Sequence, residues 1–236
     1  DTWGVDYGGL DAQGNLLTAP FCYRDPRTEG VPEAFAQKHG DYGFFARSGV
    51  RPLVFNTVFQ LAAHVRDDAA LFRRAAAIIP ISDVFHHWLS GKPAWERTQV
   101  GTWGLATPGA LAWDTDLIRE LGLDPACFGP ITPTGTDLGP VRADLVRSLG
   151  LNADCRVVLP GGHDTASAVG GMGADDREAA YLSSGTWSLI GCCADTANTS
   201  EAFFRAAYSN EIAVDGRVRL NQNIMGLWVV QECRRA

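Results

Sequence analysis

The chain has no cluster of positive charge and no long apolar run. It carries 20 Lys and Arg against 27 Asp and Glu, a net charge of −7. Nucleic acids and anionic membranes are bound through clustered Lys and Arg, so the sequence argues against both partners. The most apolar helix-like stretch, residues 75–81, is far shorter than a membrane span and contains Pro80. We therefore predict neither a nucleic-acid-binding nor a membrane protein.

Paired cysteine motifs are also missing. The six cysteines show no CxxC spacing, and Cys192 and Cys193 are adjacent within a strand-like run. This usage favours reduced core cysteines in a cytoplasmic protein over disulfides or a zinc site.

Several enzyme motifs are absent as well. The sequence has no GxxxxGK[ST], no GxGxxG after the first strand, no GxSxG and no HExxH. These absences argue against a Walker-type nucleotide site, a dinucleotide fold, an α/β-hydrolase and a zinc protease. His86 and His87 would point about 100° apart on a helix, so they cannot share a metal, and we predict surface or interface positions for both.

What is present is enough apolar sequence for a core, since 46% of 236 residues are hydrophobic. The pattern predicts a hairpin (3–10 and 16–23), helices (56–65 with Asn56 as N-cap, 71–79, 82–89, 114–121 and 141–149), strands (156–160, 180–183, 186–193, 206–209 and 217–220) and a final helix (226–235). Helices flanked by strands indicate an α/β or mixed architecture.

A lone carboxylate follows the predicted strand at 156–160. Gly161 and Gly162 lead into His163 and Asp164. A carboxylate at a strand end can accept a proton from a hydroxyl group. Asp164 before Thr165 is equally typical of a helix N-cap, whose side chain accepts from free N–H groups of the first turn. The residues alone leave both interpretations open.

A second strand-like stretch leads into the turn SSGTW at 183–187. Its backbone N–H groups and the Thr186 hydroxyl suit a phosphate group, whereas Gly185 between two strands is also typical of an ordinary hairpin. Trp3 and Trp187 flank the two candidate segments, where they suit either a sugar pocket or the core.

Longer motifs carry a family resemblance. These are DTWGVDY at 1–7, YRDPRT at 23–28, SGV and FNT at 48–50 and 55–57, HDTASAV at 163–169, AYLSSGTWSL at 180–189, and NIMGLW at 223–228 followed by Gln231. Together they resemble the rhamnulokinases, a branch of the FGGY carbohydrate kinases, over nearly the whole chain.

The resemblance implies an α/β chain with the ribonuclease-H-like (actin/hexokinase-type) kinase fold. Residues 1–175 would form most of the N-terminal, sugar-side domain without its N-terminal start. Residues 176–236 would begin the C-terminal, nucleotide-side domain, and the catalytic cleft would lie between the two.

The implied activity is ATP- and Mg²⁺-dependent phosphorylation of L-rhamnulose to L-rhamnulose 1-phosphate in L-rhamnose catabolism. The resemblance makes Asp164 the general base and a sugar contact, and it gives the other sugar contacts as Gly4, His163, Thr165 and Asn223. It gives the ATP contacts as Thr186 and Gln231, and it implies no metal ligand among these residues. Asn223 would stand at or just before the start of the final helix.

Two alternatives stay open at this point. One is a sibling kinase acting on another ketose such as fuculose or xylulose. The other is an inactive piece that only binds sugar. Oligomeric state is not determined by these residues.

The resemblance also implies that the family's phosphate-binding loop precedes this chain and that its adenosine-binding segment follows it. We therefore expect the 236-residue chain alone to show no detectable ATP-dependent phosphorylation of L-rhamnulose, because positioning can supply roughly 7–11 kcal/mol of a barrier. We also expect poor solubility or self-association from unpaired strand edges. A coupled ADP-release assay checks this, and steady rhamnulose-dependent ADP production would contradict it.

Overall fold

A computed structural model describes residues 1–109, 112–173, 179–185 and 187–235. The strands are β1 (Tyr7–Leu10), β2 (Ala77–Pro80), β3 (Asp137–Pro140), β4 (Arg156–Val158), β5 (Ala180–Ser184), β6 (Trp187–Ala194), β7 (Tyr208–Ile212) and β8 (Val218–Met225). The α-helices are α1 (Val31–His39), α2 (Asp41–Ser48), α3 (Thr57–Phe72), α4 (Ile81–Ser90), α5 (Arg97–Val100), α6 (Thr115–Glu120), α7 (Ala143–Leu149), α8 (Asp164–Gly170), α9 (Glu201–Arg205) and α10 (Trp228–Arg235).

The described strands form three antiparallel sheets. β1 pairs with β2, β3 pairs with β4, and the largest sheet has the order β5-β6-β8-β7. The hairpin predicted for 3–10 and 16–23 is wrong in its second strand, where only Leu16 forms a bridge, to Leu10. The neighbour of β1 is instead β2, from about 70 residues further along the chain, and all four residues of each strand are buried.

The helix predicted for 71–79 is also wrong. α3 continues to Phe72, and the apolar run at Ala77–Pro80 is a strand. Such a short run fits a buried strand and a buried helix equally by periodicity, and the β-branched Ile78 and Ile79 favour the strand. Both isoleucines are fully buried beside β1.

The other predicted helices correspond to α3, α4, α6, α7 and α10, with shifted ends. Asn56 does precede α3, but its side chain makes no capping bond. Its Oδ1 accepts from Leu53 N at 2.6 Å, and its Nδ2 donates to Thr102 O. His86 and His87 are half-buried rather than surface residues, because they bond Asp83 and the Gly14 carbonyl.

The main core forms around α3. Val58, Phe59 and Leu61 are fully buried and cluster with Trp103 and Leu105. Each large apolar side chain buried in this way contributes roughly 1.5–3 kcal/mol to stability. The core therefore fixes α3 against β1 and sets the positions of the segments that precede each of them.

The six cysteines are all free thiols. Within the part of the chain that the structure describes, no helix has the length and apolarity needed to cross a bilayer.

A buried carboxylate ties α5 to two distant loops. Glu96 is fully buried, and its Oε2 accepts from Thr98 N at 2.9 Å and from Gly162 N at 3.0 Å. Its Oε1 accepts from the Thr134 hydroxyl. Burial raises the pKa of the Glu96 carboxyl, and the hydrogen bonds from Thr134 and Thr98 offset part of that rise. Glu96 thus joins the end of β4 to α5 in the folded chain.

We expect Glu96→Ala to lower the free energy of unfolding by roughly 2–4 kcal/mol, because buried donors at Thr98 and Gly162 lose their acceptor. Glu96→Gln should cost less, since its amide oxygen still accepts. Denaturant unfolding measures both, with the exposed Glu33→Ala as control. Equal midpoints for Glu96→Ala and Glu33→Ala would contradict this role.

Burial of Glu96 also makes the free energy of unfolding depend on pH. Because burial raises the pKa of Glu96 above its ordinary value of 4.5, the folded chain binds this proton more tightly than the unfolded chain. The stability that Glu96 contributes therefore falls as pH rises from 4.5 through the folded pKa. The stability difference between wild type and Glu96→Gln should move in favour of the variant over that range.

Candidate active-site cleft

A cleft of about 500 Å³ opens between the chain start, α8 and the largest sheet. Its lining includes backbone and side chains from segments far apart in sequence. The lining residues are Trp3, Gly4, Val5, Tyr23, Arg24, Val50, Arg51, Leu53, Phe55, Asn56, Thr102, His163, Asp164, Thr165, Ala168, Ser183, Ser184, Gly185, Trp187, Leu189, Ser209, Glu211 and Asn223.

Backbone pairing joins the chain start to the 161–164 loop. Thr2 and His163 form a parallel bridge, in which Thr2 N donates to Gly162 O and Asp164 N donates to Thr2 O, both at 2.8 Å. The buried Gln99 adds bonds from its Nε2 to the carbonyls of Trp3 and Gly162. These bonds hold residues 3–5 beside His163 and Asp164.

The next residues form a tight turn that faces the cleft. Asp6 N donates to Gly4 O at 3.0 Å, and Val5 between them has a φ of +70°. This γ-turn geometry is strained for a β-branched residue. The Val5 carbonyl is held by the Thr57 hydroxyl at 2.6 Å and by Gln60 Nε2 at 3.1 Å. Strain of this kind persists only where the surroundings fix it, and it often marks a functional site.

Gly4 allows the chain start to approach His163 closely. A Cβ at this position would lie 3.3 Å from His163 Cδ2 and 3.3 Å from Thr102 Oγ1. Both contacts are tighter than ordinary van der Waals packing, so a side chain here would push the turn away from the 161–164 loop.

Asp164 is the first residue of α8 and faces the cleft with a half-exposed side chain (58%). The N-cap interpretation of Asp164 is wrong, since His163 occupies the cap position and makes no side-chain capping bond. Asp164 Oδ1 accepts from Thr165 N at 2.6 Å and from the Thr165 hydroxyl at 3.2 Å. The carboxylate therefore lies at a helix N-terminus, where negative charge is stabilised.

His163 lies behind Asp164, with a side chain that is only 11% exposed. Its Nε2 is 3.5 Å from Asp164 Oδ1, and its Nδ1 is 3.1 Å from Arg219 Nη2. Burial lowers the pKa of His163, although the Glu211 carboxylate acts in the opposite direction. Burial therefore favours the neutral imidazole.

Glu211 lines the cleft and the fully buried Arg219 lies behind it, and the sequence pattern indicated neither residue. They face each other across β7 and β8, and Arg219 Nη2 donates to Glu211 Oε2 at 2.5 Å. Burial raises the pKa of Glu211, but Arg219, His163 and a bond from Asn221 outweigh it and leave the pKa below its usual value. No motif signals this pair, because cross-strand pairing becomes visible only in the folded sheet.

Four aromatic side chains line another part of the cleft. Trp3 and Trp187 line the cleft and are 48% and 45% exposed, so neither belongs to the core. Phe55 lies between Tyr23 and Trp187, with ring centroids 5.9 and 6.2 Å apart. All four of these residues lie in motifs already noted, DTWGVDY, YRDPRT, FNT and AYLSSGTWSL, which is a signal that they belong to the site.

Most of the predicted site residues meet in this cleft. Those that line it are Gly4, His163, Asp164, Thr165 and Asn223. Asn223 lies within β8, opposite Leu189 of β6, rather than beside the final helix, because β8 continues to Met225. Gln231 is an exposed residue of α10 and is not among the residues that line the cleft. Thr186 lies outside the described residues.

A metal ion in a protein is held by several His, Cys, Asp or Glu side chains placed close together. Within 1–109, 112–173, 179–185 and 187–235 there is no group of three or more His, Cys, Asp or Glu side chains placed to hold one.

Curated relatives match nearly the whole chain. It is 39% identical over 231 residues to the rhamnulokinase of Enterobacter sp. (strain 638), covering 98% of this chain and 46% of that protein. It is 36% identical over 234 residues to the rhamnulokinase of Bacteroides thetaiotaomicron, covering 99% of this chain and 48% of that protein. The chain thus spans about half the length of the curated relatives it matches.

Solved structures show the fold. The ligand-bound xylulose kinase from Lactobacillus acidophilus aligns with a TM-score of 0.87 at 19% identity, over 99% of this chain and 47% of that one. The Plasmodium falciparum glycerol kinase with ADP aligns with a TM-score of 0.82 at 14% identity, over 97% of this chain and 47% of that one. The chain therefore has the expected actin/hexokinase-type kinase fold.

A family model supplies the remaining link between the cleft and known proteins. The model described as the N-terminal domain of the FGGY family of carbohydrate kinases matches residues 2–171, which include the chain start, the γ-turn and the 161–164 loop. The chain belongs to the FGGY family of carbohydrate kinases.

Proposed function

We propose that the whole protein transfers the γ-phosphoryl group of ATP to L-rhamnulose, forming L-rhamnulose 1-phosphate in L-rhamnose catabolism in the cytoplasm. The observation that carries this proposal is the meeting of Gly4, His163, Asp164, Thr165 and Asn223 in one cleft. The choice of sugar is supported by curated rhamnulokinases that are 36–40% identical across the chain.

In this mechanism Asp164 is the general base. A sugar hydroxyl is a weak nucleophile at neutral pH, and a carboxylate within hydrogen-bond reach accepts its proton as the bond to phosphorus forms. The Asp164 side chain is exposed to the cleft, whereas the other nearby carboxylate, Glu211, is held by Arg219 and Asn221. Asp164 is therefore the better placed of the two to receive a proton.

The sugar would be held from both sides of the cleft. Gly4 leaves room at the γ-turn, His163 and Thr165 flank the base, and Asn223 reaches in from β8. These contacts come from residues 1–175 and from 176–236, which we propose as the sugar-side and nucleotide-side domains. Sugar binding would then bring the two parts into register for in-line transfer.

ATP would contact Thr186 and Gln231 on the nucleotide side. The exposure of Gln231 on α10 leaves its amide free to meet a ligand. Mg²⁺ bound with ATP would neutralise charge on the phosphates. Gln231 and Asn223 lie on successive elements, α10 and β8, so nucleotide and sugar contacts would be mechanically linked.

We expect the whole protein to phosphorylate L-rhamnulose with a higher kcat/KM than L-fuculose or D-xylulose. The measurement is a coupled ADP-release assay across the ketose panel, with a sugar-free reaction as control. Preference for another ketose would assign the cleft to a sibling kinase activity, and no turnover with any ketose would reject the proposal.

We expect Asp164→Asn in the whole protein to lower kcat by roughly 10²–10⁴-fold while sugar binding is largely kept, since the amide keeps the shape and loses the basic oxygen. Steady-state kinetics and calorimetry with L-rhamnulose measure the two effects. Asp154→Asn, at an exposed position away from the cleft lining, is the control. Wild-type turnover in Asp164→Asn would remove this residue from the mechanism.

A further inference from the structure

A buried guanidinium lies directly behind the candidate base and its neighbour. Arg219 is fully buried, and its Nη2 reaches both Glu211 Oε2 and His163 Nδ1. Arginine can only donate hydrogen bonds. At 3.1 Å from Arg219, His163 Nδ1 must therefore offer its lone pair, and the neutral ring carries its proton on Nε2.

The protonated nitrogen then faces the cleft. His163 Nε2 is 3.5 Å from Asp164 Oδ1, and a Cβ built at Gly4 would lie 3.4 Å from the same nitrogen. The Nε2–H group therefore lies between the γ-turn and the Asp164 carboxylate, where a sugar oxygen would approach.

We propose that Arg219 is a positioning residue which, with Glu211 as its counter-ion, fixes His163 as the neutral Nε2–H tautomer and so aims a permanent hydrogen-bond donor into the cleft beside Asp164. The effect of Arg219 on phosphoryl transfer rests on the proposed function, whereas the assignment of the His163 tautomer does not.

The surrounding charges explain why a cation is needed here. The groups that face the imidazole are Asp164 from α8, Glu211 from β7 and Arg219 from β8. Both carboxylates favour a protonated ring, and Arg219 opposes them. Without Arg219, Glu211 Oε2 would be left 3.6 Å from His163 Nδ1 and would accept a hydrogen bond from a protonated Nδ1. The ring would turn into the Nδ1–H tautomer or an imidazolium.

Either change would impair a base at Asp164. An imidazolium 3.5 Å away would stabilise the ionised carboxylate and make it a weaker proton acceptor. The Nδ1–H tautomer would leave Nε2 without a proton to donate to the sugar. Arg219 prevents both outcomes, and Glu211 on the neighbouring strand balances its charge.

The tautomer is measured by ¹⁵N NMR of the whole protein labelled with ¹⁵N-histidine, and His163→Gln identifies the His163 signals by their loss. We expect wild-type His163 to be neutral with the proton on Nε2 from pH 6 to 8. A proton on Nδ1, or an imidazolium in that range, would overturn the proposal without need of any variant.

Arg219→Gln should move the His163 proton to Nδ1 or raise the pKa of the His163 imidazole by roughly 1–3 units, since one opposing cation is lost. Arg219→Gln combined with Glu211→Gln should reverse that rise, because the carboxylate is then neutralised. If the Arg219 variant does not fold, Glu211→Gln alone decides the matter: it keeps the cation, and His163 should stay in the Nε2–H form. An unchanged His163 signal in folded Arg219→Gln would overturn the proposal.

Kinetics separate positioning from a merely structural role. In Arg219→Gln we expect kcat for L-rhamnulose to fall and the acid limb of its pH profile to move to higher pH, because His163 gains charge as pH falls. The exposed Arg205→Gln is the control and should match wild type. A normal pH profile in Arg219→Gln would reject the positioning role. Inactive wild type with the expected tautomer would instead reject only the proposed function.

Discussion

The candidate site depends on one short piece of backbone pairing between the chain start and the loop after β4. Two hydrogen bonds at Thr2 place the γ-turn beside His163 and Asp164. Gln99 and Glu96 fix the other side of the same loop through Gly162. Because Gln99, Glu96 and Gly162 are buried, water does not compete for the bonds between them, and the loop is held in one geometry. Any cleft chemistry at Asp164 requires this alignment first.

Buried charge surrounds that pairing on two sides, and each carboxylate has several donors. Glu96 accepts from backbone and hydroxyl groups, whereas Glu211 is paired with Arg219 and Asn221. Buried pairs of this kind add little net stability over apolar residues, but removing one partner is costly. Here they hold the groups behind Asp164 in place, since Glu96 accepts from Gly162 N and Arg219 Nη2 contacts His163 Nδ1. The cleft lining also includes the aromatic side chains of Trp3, Tyr23, Phe55 and Trp187, and in such a pocket a few polar groups orient the ligand.

Local sequence patterns correctly predicted the elements that have a strong hydrophobic periodicity or are bounded by capping and turn residues. The helix opened by Asp114 and closed near Gly122, the strand at 156–160 and the hairpin of β5 and β6 were confirmed with small shifts. The failures were at residues 16–23 and 71–79, where the outcome depends on a distant partner. β1 takes β2 as its neighbour, and the buried Ile78 and Ile79 adopt the strand that this pairing requires.

The sequence by itself determined the family and five residues of the cleft. Each of the segments HDTASAV, DTWG and NIMGLW holds its candidate functional residues within a few consecutive positions, so they can be recognised without the fold. Only the tertiary structure decided that Gly4, Asp164 and Asn223 line one cleft, that Asn223 lies in a strand, and that Asp164 is not the helix cap. It also decided the Glu211–Arg219–His163 arrangement. The physical reason is that these contacts join residues dozens of positions apart, and their geometry comes from strand register and burial rather than from local spacing.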